Sequence, residues 1–471
     1  MLALPAEARE GGLLVAASEN GKTFNHSNTI YFMKKFVAIF LSLSIFCSVK
    51  ARDYKISSAI ELNALDLKPG DKVILKTGEW KDQQLLFKGI GTEKEPITLM
   101  AEKAADLKIT GNSNLKIDGE WLVVDGLIFT DGYSLKEDVI IFSNKSANCR
   151  LTNSAIISYN HPDKKVDYKW ISVWGHHNRV DHCWLEGKTH QGTTLVIWLD
   201  DQANYDLIDH NYFGVRQELG VNGGETIRVG NSTWSLHDSY TIIEKNIFDH
   251  CDGELEIISN KSCKNTIRNN LFYESQGTLT LRHGNDANVY ENIFIGNGVA
   301  NTGGIRVIAE NHRVHDNYLL NLTGTGMSGA ISIMDGLPNP PLVGHWQVKN
   351  ASIFNNTIIN CRESLVVGVG KNAERFLKPE NTSFTNNIIS ANKPVIKWVD
   401  DSAQIRFEKN IVYSSDTNEK LPDGFTLKTP VGIKKDENGF QIIPSTKQPS
   451  AFWIKEKVGP NWMPKREFVV R

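Results

Sequence analysis

Ile243-Glu-Lys-Asn-Ile-Phe248, Ile267-Arg-Asn-Asn-Leu-Phe272 and Val289-Tyr-Glu-Asn-Ile-Phe294 are three versions of one six-residue phrase. An apolar or β-branched residue is followed by two mostly polar ones, a small or amide residue, and two positions rich in Ile, Leu and aromatics. Upstream the phrase reads Val124-Asp-Gly-Leu-Ile-Phe129, Leu151-Thr-Asn-Ser-Ala-Ile156, Val180-Asp-His-Cys-Trp-Leu185 and Ile208-Asp-His-Asn-Tyr-Phe213. Downstream it returns as Val314-His-Asp-Asn-Tyr-Leu319, Ile353-Phe-Asn-Asn-Thr-Ile358, Phe384-Thr-Asn-Asn-Ile-Ile389 and Phe407-Glu-Lys-Asn-Ile-Val412. From Asn246 through Asn270 and Asn292 to Asn317 the steps are 24, 22 and 25 residues, and the next, to Asn356, is 39. Self-similarity at roughly 20–30 residues marks a solenoid. The units are rich in β-branched and turn residues and lack a helical period, so the coils are strands. Propeller blades would run to about 40–45 residues, which the short steps exclude. The pattern predicts an all-β, single-domain, right-handed parallel β-helix. The recurring Asn is expected at a sharp bend between two strands, where it tolerates unusual backbone angles and can bond from coil to coil.

Outside the repeat, Ser57 to Gly70 reads as a short amphipathic helix ending at Pro69, a cap for the open sheet edge. Gly336-Leu-Pro-Asn-Pro-Pro341 is expected to loop out of the helix. The catalytic β-helix is expected over 52–415. The Lys-, Pro- and Gly-rich segment 416–471 is expected to pack along it. Met33-Lys-Lys followed by Phe36-Val-Ala-Ile-Phe-Leu-Ser-Leu-Ser-Ile-Phe46 reads as a secretory leader over 33–51, with 1–32 an over-extended start. That implies a secreted or periplasmic protein. The apolar run is too short for a membrane span.

The 471-residue chain is 40% hydrophobic and 23% charged, a globular composition. Its formal net charge of -2 lacks the basic excess that nucleic-acid binding demands. A partner that is a polyanion must therefore meet a local basic patch. Beyond Cys47 in the leader there are five cysteines with no CxxC, which suggests neither a disulfide framework nor a zinc site.

The chemistry gathers on the central coils. Glu254 and Glu256 stand two apart in Gly253-Glu-Leu-Glu-Ile-Ile-Ser-Asn-Lys261, a spacing that puts both carboxylates on one face of a strand. Asn222-Gly-Gly-Glu-Thr-Ile-Arg228 lies one coil earlier, and stacking brings Asn222 beside the two acids. An amide oxygen and two carboxylates are hard ligands suited to Ca²⁺, which takes about six to eight oxygens and leaves room here for water and substrate. A cation on a uronate carboxylate stabilises the charge formed when the neighbouring C–H is deprotonated. Lys261 is the candidate base. A free lysine titrates near 10.4, and Ca²⁺ and Arg282 nearby are expected to push it down. Arg282, in Leu281-Arg-His-Gly284, is placed to stabilise the leaving oxygen or pass it a proton. Period two would send Arg282 and His283 to opposite faces unless the strand ends there, as Gly284 suggests. Glu225 and Arg228 can also be read as a salt bridge, and Arg306 in Gly303-Gly-Ile-Arg-Val307 extends a basic track one coil on.

On these motifs the chain resembles polysaccharide lyase family 6, the alginate lyases and chondroitinase B, over nearly all of the chain from about residue 53. The specific elements are Asn-Gly-Gly-Glu-Thr-Ile-Arg-Val-Gly at 222–230, Glu254-Leu-Glu256 with Lys261, and Arg282-His-Gly284. The resemblance implies a right-handed parallel β-helix with Asn222, Glu254 and Glu256 as Ca²⁺ ligands, Lys261 as base and Arg282 as acid. It also implies substrate contacts from Arg228, His283 and Arg306, with Glu225 beside them. The implied activity is β-elimination on an acidic polysaccharide, alginate ahead of dermatan sulfate. A non-catalytic glycan-binding β-helix would not need the lysine and arginine at that spacing. A glycoside hydrolase would need paired acids about 5–10 Å apart and no lysine.

Overall fold

Each coil crosses three strands. In the coil that carries the Glu pair these are Ile242–Glu244, Ile247–Asp249 and Glu256–Lys261. The next coil repeats them as Thr266–Arg268, Leu271–Tyr273 and Gly277–His283, and the one after as Asn288–Tyr290, Ile293–Ile295 and Thr302–Val307. Equivalent strands pair in parallel from coil to coil, giving three sheets of 14, 12 and 14 strands that follow chain order. In this computed structural model, which describes residues 51–391, 394–415, 420–429, 434–443 and 449–471, the chain is thus a parallel β-helix. Right-handed winding is the hand that crossovers between parallel strands adopt. The expected extension at 1–32 and the leader at 33–51 lie outside the described residues, save for Ala51.

The six-residue phrase is the corner between the first two strands of a coil. Its first and last residues point inward: Ile243, Phe248, Ile267, Phe294 and Val289 have no exposed surface. Phe213, Phe248, Phe272 and Phe294 stack at centroid spacings of 5.0, 4.7 and 4.3 Å, the separation of neighbouring coils. The sharp bend falls one residue earlier than expected. Lys245, Asn269, Glu291, Asp316, Asn355, Asn386 and Lys409 take the left-handed conformation, with φ between 53° and 57°. The following Asn does not. Its role is the ladder. The side-chain amide of Asn246 donates to Asn270 Oδ1 at 3.1 Å, Asn270 to Asn292 at 3.0 Å and Asn292 to Asn317 at 3.1 Å. The backbone N–H of each Asn donates to the same oxygen. The ladder runs unbroken from Asn211 to Asn410. Inside the coil, where no water can serve, each amide is satisfied by its neighbours.

The N-terminal cap is shorter than Ser57–Gly70. The helix covers only Ala59–Asn63, started by Ser58 and Glu61 in a reciprocal capping arrangement. It ends early because the chain must turn into Lys72–Leu75, and Asp71 closes that turn by accepting from the N–H groups of Arg52 and Lys68. The short helix still covers the end of the 12-stranded sheet: Asn63 Oδ1 accepts from Leu86 N–H at 2.9 Å, and its amide donates to Gln84 O. At the other end, Phe425–Lys428 adds a strand beyond residue 415. Further described residues of the tail lie against the third sheet, burying Phe440, Phe452 and Met463 against Ile247, Leu271 and Tyr318. All five described cysteines are buried and free.

Candidate active site

The 12-stranded sheet carries the cleft, and its departures from regular register build it. Between Glu256–Lys261 and Gly277–His283 there are two register shifts. One leaves Ile257 as an extra residue just after Glu256. The other pairs Lys261 with His283, so that Arg282 is the extra residue. A bulge re-aims side chains that strict alternation would oppose, and Arg282 and His283 therefore both line the cleft. A third shift follows between Gly277–His283 and Thr302–Val307.

The resulting cavity, about 700 Å³, is lined by Asn222, Glu254, Glu256, Lys261, Arg282, His283 and Arg306 together with Glu218, Ser232, Met327, His345 and Arg375. Glu254 is not on the strand with Glu256, which begins at Glu256; it sits in the bend before it. Two glycines make this bend possible. A Cβ on Gly253 would lie 2.2 Å from Gly224 O, and one on Gly224 would lie 2.3 Å from Gly253 O. This close approach lets Glu254 Oε2 accept from the N–H groups of Gly223 and Gly224 at 2.9 and 3.1 Å. Burial, with the carboxylates of Glu225 and Glu256 nearby, pushes Glu254 up to about 7.

Glu256 accepts from Ser259 Oγ and from Arg306, and the Arg282 Nε lies 3.7 Å from its Oε1. Arg306 is only 3% exposed, so it neutralises Glu256 from below and does not form an open basic track. Burial is the main cause that lowers the pKa of Arg306 and of Arg282. Lys261 Nζ is 3.7 Å from Glu225 Oε1. Glu225, expected to touch substrate, is instead 2% exposed and lies beneath Lys261, with Thr193 Oγ1 at 3.3 Å on its other oxygen. It pairs with Lys261, not with Arg228. Arg228 does not line the cavity; its guanidinium stacks over Trp198 at 5.0 Å. His283 Nδ1 accepts from Arg282 at 3.3 Å and its Nε2 faces Ser232 Oγ at 3.3 Å. Burial and the cations of Arg282 and Lys261 push it down to about 3, so its ring is neutral at working pH.

Three contributors to the site were not read from the sequence. The Gly336 loop folds back over the cleft: Arg282 donates to Val343 O and Gly344 O, both at 3.3 Å. His345 from that loop accepts from Arg375 at 3.2 Å. The prolines announced a loop but not its direction, and Arg375 sits in an irregular turn without a motif.

Among the described residues no three His, Cys, Asp or Glu side chains converge on one point. The candidate cation set is two carboxylates and an amide. Asn222, Glu254 and Glu256 share the one cavity, and Glu254, raised by burial and by the carboxylates of Glu225 and Glu256, has no cation of its own among the described ion pairs. These residues fit a hard cation.

Parallel coils carrying a cationic cleft with a lysine and an arginine at its centre define the class of β-helical polysaccharide lyases. A family profile described as Chondroitinase B matches residues 55–451. Among solved structures, the family 6 alginate lyase AlyGC is 39% identical, with a TM-score of 0.83 over 88% of this chain and 59% of its own. A mannuronic acid specific family 6 lyase from human gut microbiota is 32% identical, with a TM-score of 0.76 over 88% of this chain and 97% of its own. A family 6 lyase from Pseudopedobacter saltans is 26% identical, with a TM-score of 0.70 over 87% and 100%. No match is found among curated proteins. The chain belongs to polysaccharide lyase family 6, the family of chondroitinase B, and spans 59% of the length of AlyGC.

Proposed function

We propose that this protein is a secreted or periplasmic alginate lyase that cleaves by β-elimination. The observation that carries the reading is the meeting of Lys261, Arg282, Glu254 and Glu256 in one cavity, Arg282 as the extra residue of a bulge and Glu254 from a glycine-lined bend. Lys261 takes the proton from the carbon next to the uronate carboxylate. The electron pair left behind forms the C4–C5 double bond as the C4–O bond breaks. Arg282, held by two loop carbonyls, faces the leaving oxygen and supplies its proton or stabilises its charge. Neutral His283 accepts from Arg282 and fixes its orientation. A Ca²⁺ held by Asn222, Glu254 and Glu256 would neutralise the substrate carboxylate and lower the cost of removing the proton. The leader-like stretch at 33–51 supports export to where such polymers are met.

Dermatan sulfate is the second reading. Sulfate recognition calls for a cleft cation beyond Arg228 and Arg306, and Arg375 supplies one. Absorbance of newly formed double bonds, followed on poly-mannuronate, poly-guluronate, mixed alginate and dermatan sulfate, tests both. Turnover of an alginate substrate alone supports the first; turnover of dermatan sulfate alone supports the second. Chelation by EDTA suppresses the rate on this account, and an unaffected rate would remove Ca²⁺ from it.

A further inference from the structure

Beside the cavity, the cleft face continues toward the N-terminal coils as a column of two tryptophans and an arginine. Val173 pairs with Ile197, Ile197 with Val229, and Val229 with Asn260. Trp174 and Trp198 follow the first two of these residues, so they share a column with Gly230 and Lys261 on the next coils. The indoles of Trp174 and Trp198 stack at 5.1 Å with planes 13° apart. Trp198 Nε1 donates to Ser172 Oγ at 3.0 Å, which itself donates to Asp138 Oδ2. Arg228, one coil on, lies over the Trp198 ring. The Trp198 indole is thus held between Trp174 and a guanidinium.

Arg228 stands apart from the other cations of this face. Lys261 has Glu225, Arg282 and Arg306 have Glu256, and Arg375 meets His345. Arg228 makes no hydrogen bond or ion pair with any described residue, and its Nε is buried without a partner. Stacked rings also occur elsewhere in the coils. His177, Tyr205 and Tyr240 stack at 5.1 and 5.0 Å on another corner. There the cation over the last ring, Lys264, is paired with Asp238 at 2.9 Å. The tryptophan column ends in a guanidinium with free donors, and a guanidinium on an aromatic platform is a receptor for a planar carboxylate.

We propose that Trp174, Trp198 and Arg228 form a carboxylate subsite for a uronate next to the one being cleaved, with Trp198 as the positioning residue that holds Arg228 toward the polymer. This rests on the lyase reading above. The test uses uronate oligosaccharides of three and six residues titrated calorimetrically into the Lys261→Ala protein, alone and combined with Trp198→Ala or Trp198→Phe. Trp198→Ala should weaken binding of the six-residue oligosaccharide about fivefold to tenfold, the size of a cation–π contact, and Trp198→Phe should restore most of it. In the otherwise active enzyme Trp198→Ala should raise KM more than it lowers kcat. Unchanged affinity in Trp198→Ala removes the subsite alone. A loss that Phe does not rescue, with kcat and the melting temperature falling together, reduces Trp198 to packing and also overturns it. A Lys261→Ala parent that binds no uronate oligomer removes the subsite and the substrate reading together.

Discussion

From Asn211 to Asn410 the asparagine corner repeats one arrangement on every coil, with regular pairing in both flanking sheets. The cleft sheet of the same coils breaks register twice between one strand pair and again in the next. Bond satisfaction differs in the same way. The corner amides each find partners, whereas Arg228 Nε, Arg306 Nε and Arg375 Nε, on or beside the cleft sheet, are buried without one; Asp206 Oδ2, next to the first sheet, is also unpaired. Regularity along one corner supplies the stability that allows the cleft to hold charges at a cost. Breaking each region separately should therefore give opposite results in activity and in stability.

The largest effect is expected at the cleft. Arg282→Ala should lower turnover by about 10²- to 10⁴-fold, the usual worth of a proton donor, with the melting temperature unchanged. A comparable loss of stability would mean that Arg282 mainly ties down the Val343–Gly344 loop. At the corner, Asn292→Ala strips the acceptor from the Asn270 backbone and side-chain N–H groups, and from Tyr290 O and Ile267 O a donor. Buried groups left unpaired should cost about 3 kcal/mol in denaturant unfolding, while kcat below the transition stays at the wild-type value. A variant with full stability would show that the ladder only decorates the corner.

A smaller effect is expected where the cleft sheet meets its loop. Asp335 lies at the foot of the Gly336 loop, with no exposed surface, and its carboxyl faces that of Asp400 within hydrogen-bond reach. Burial and Asp400 push it up to about 7, against about 3.9 in an unfolded chain. Because the folded state keeps this proton after the unfolded state has lost it, the contribution of Asp335 to stability is full below about pH 4 and falls as pH rises toward about 7. Asp400, held ionised by Lys371 and Ser402 after its own burial is offset, acts in the opposite sense and only at more acid pH. Asp335→Asn should thus raise the melting temperature by a few degrees at pH 8 and not at pH 4. An equal shift at both values would contradict the assignment.

The corner was legible because a period of about one coil repeats the same side chains, and inward residues must be apolar. Reading the bend onto the Asn was the error: the left-handed residue precedes it, where Lys, Glu, Asp and Asn all occur, so composition carries no signal. The site was legible as a set of residues but not as geometry. Glu254 reaches the cleft through a glycine-lined bend, not by strand alternation. Arg282 reaches it through a bulge that pairing register alone reveals. Glu225 lies buried beneath Lys261, and Arg306 lines the cavity paired with Glu256; neither partner is near in sequence.

Whether Lys261 is the base of an elimination is decided by following double-bond absorbance on alginate with wild-type protein and with Lys261→Ala, after thermal unfolding has shown both equally folded. A steady rise is expected for the wild type and none for the variant. Wild-type absorbance growth in Lys261→Ala, or chain cleavage by the wild type without any absorbance, would contradict that role.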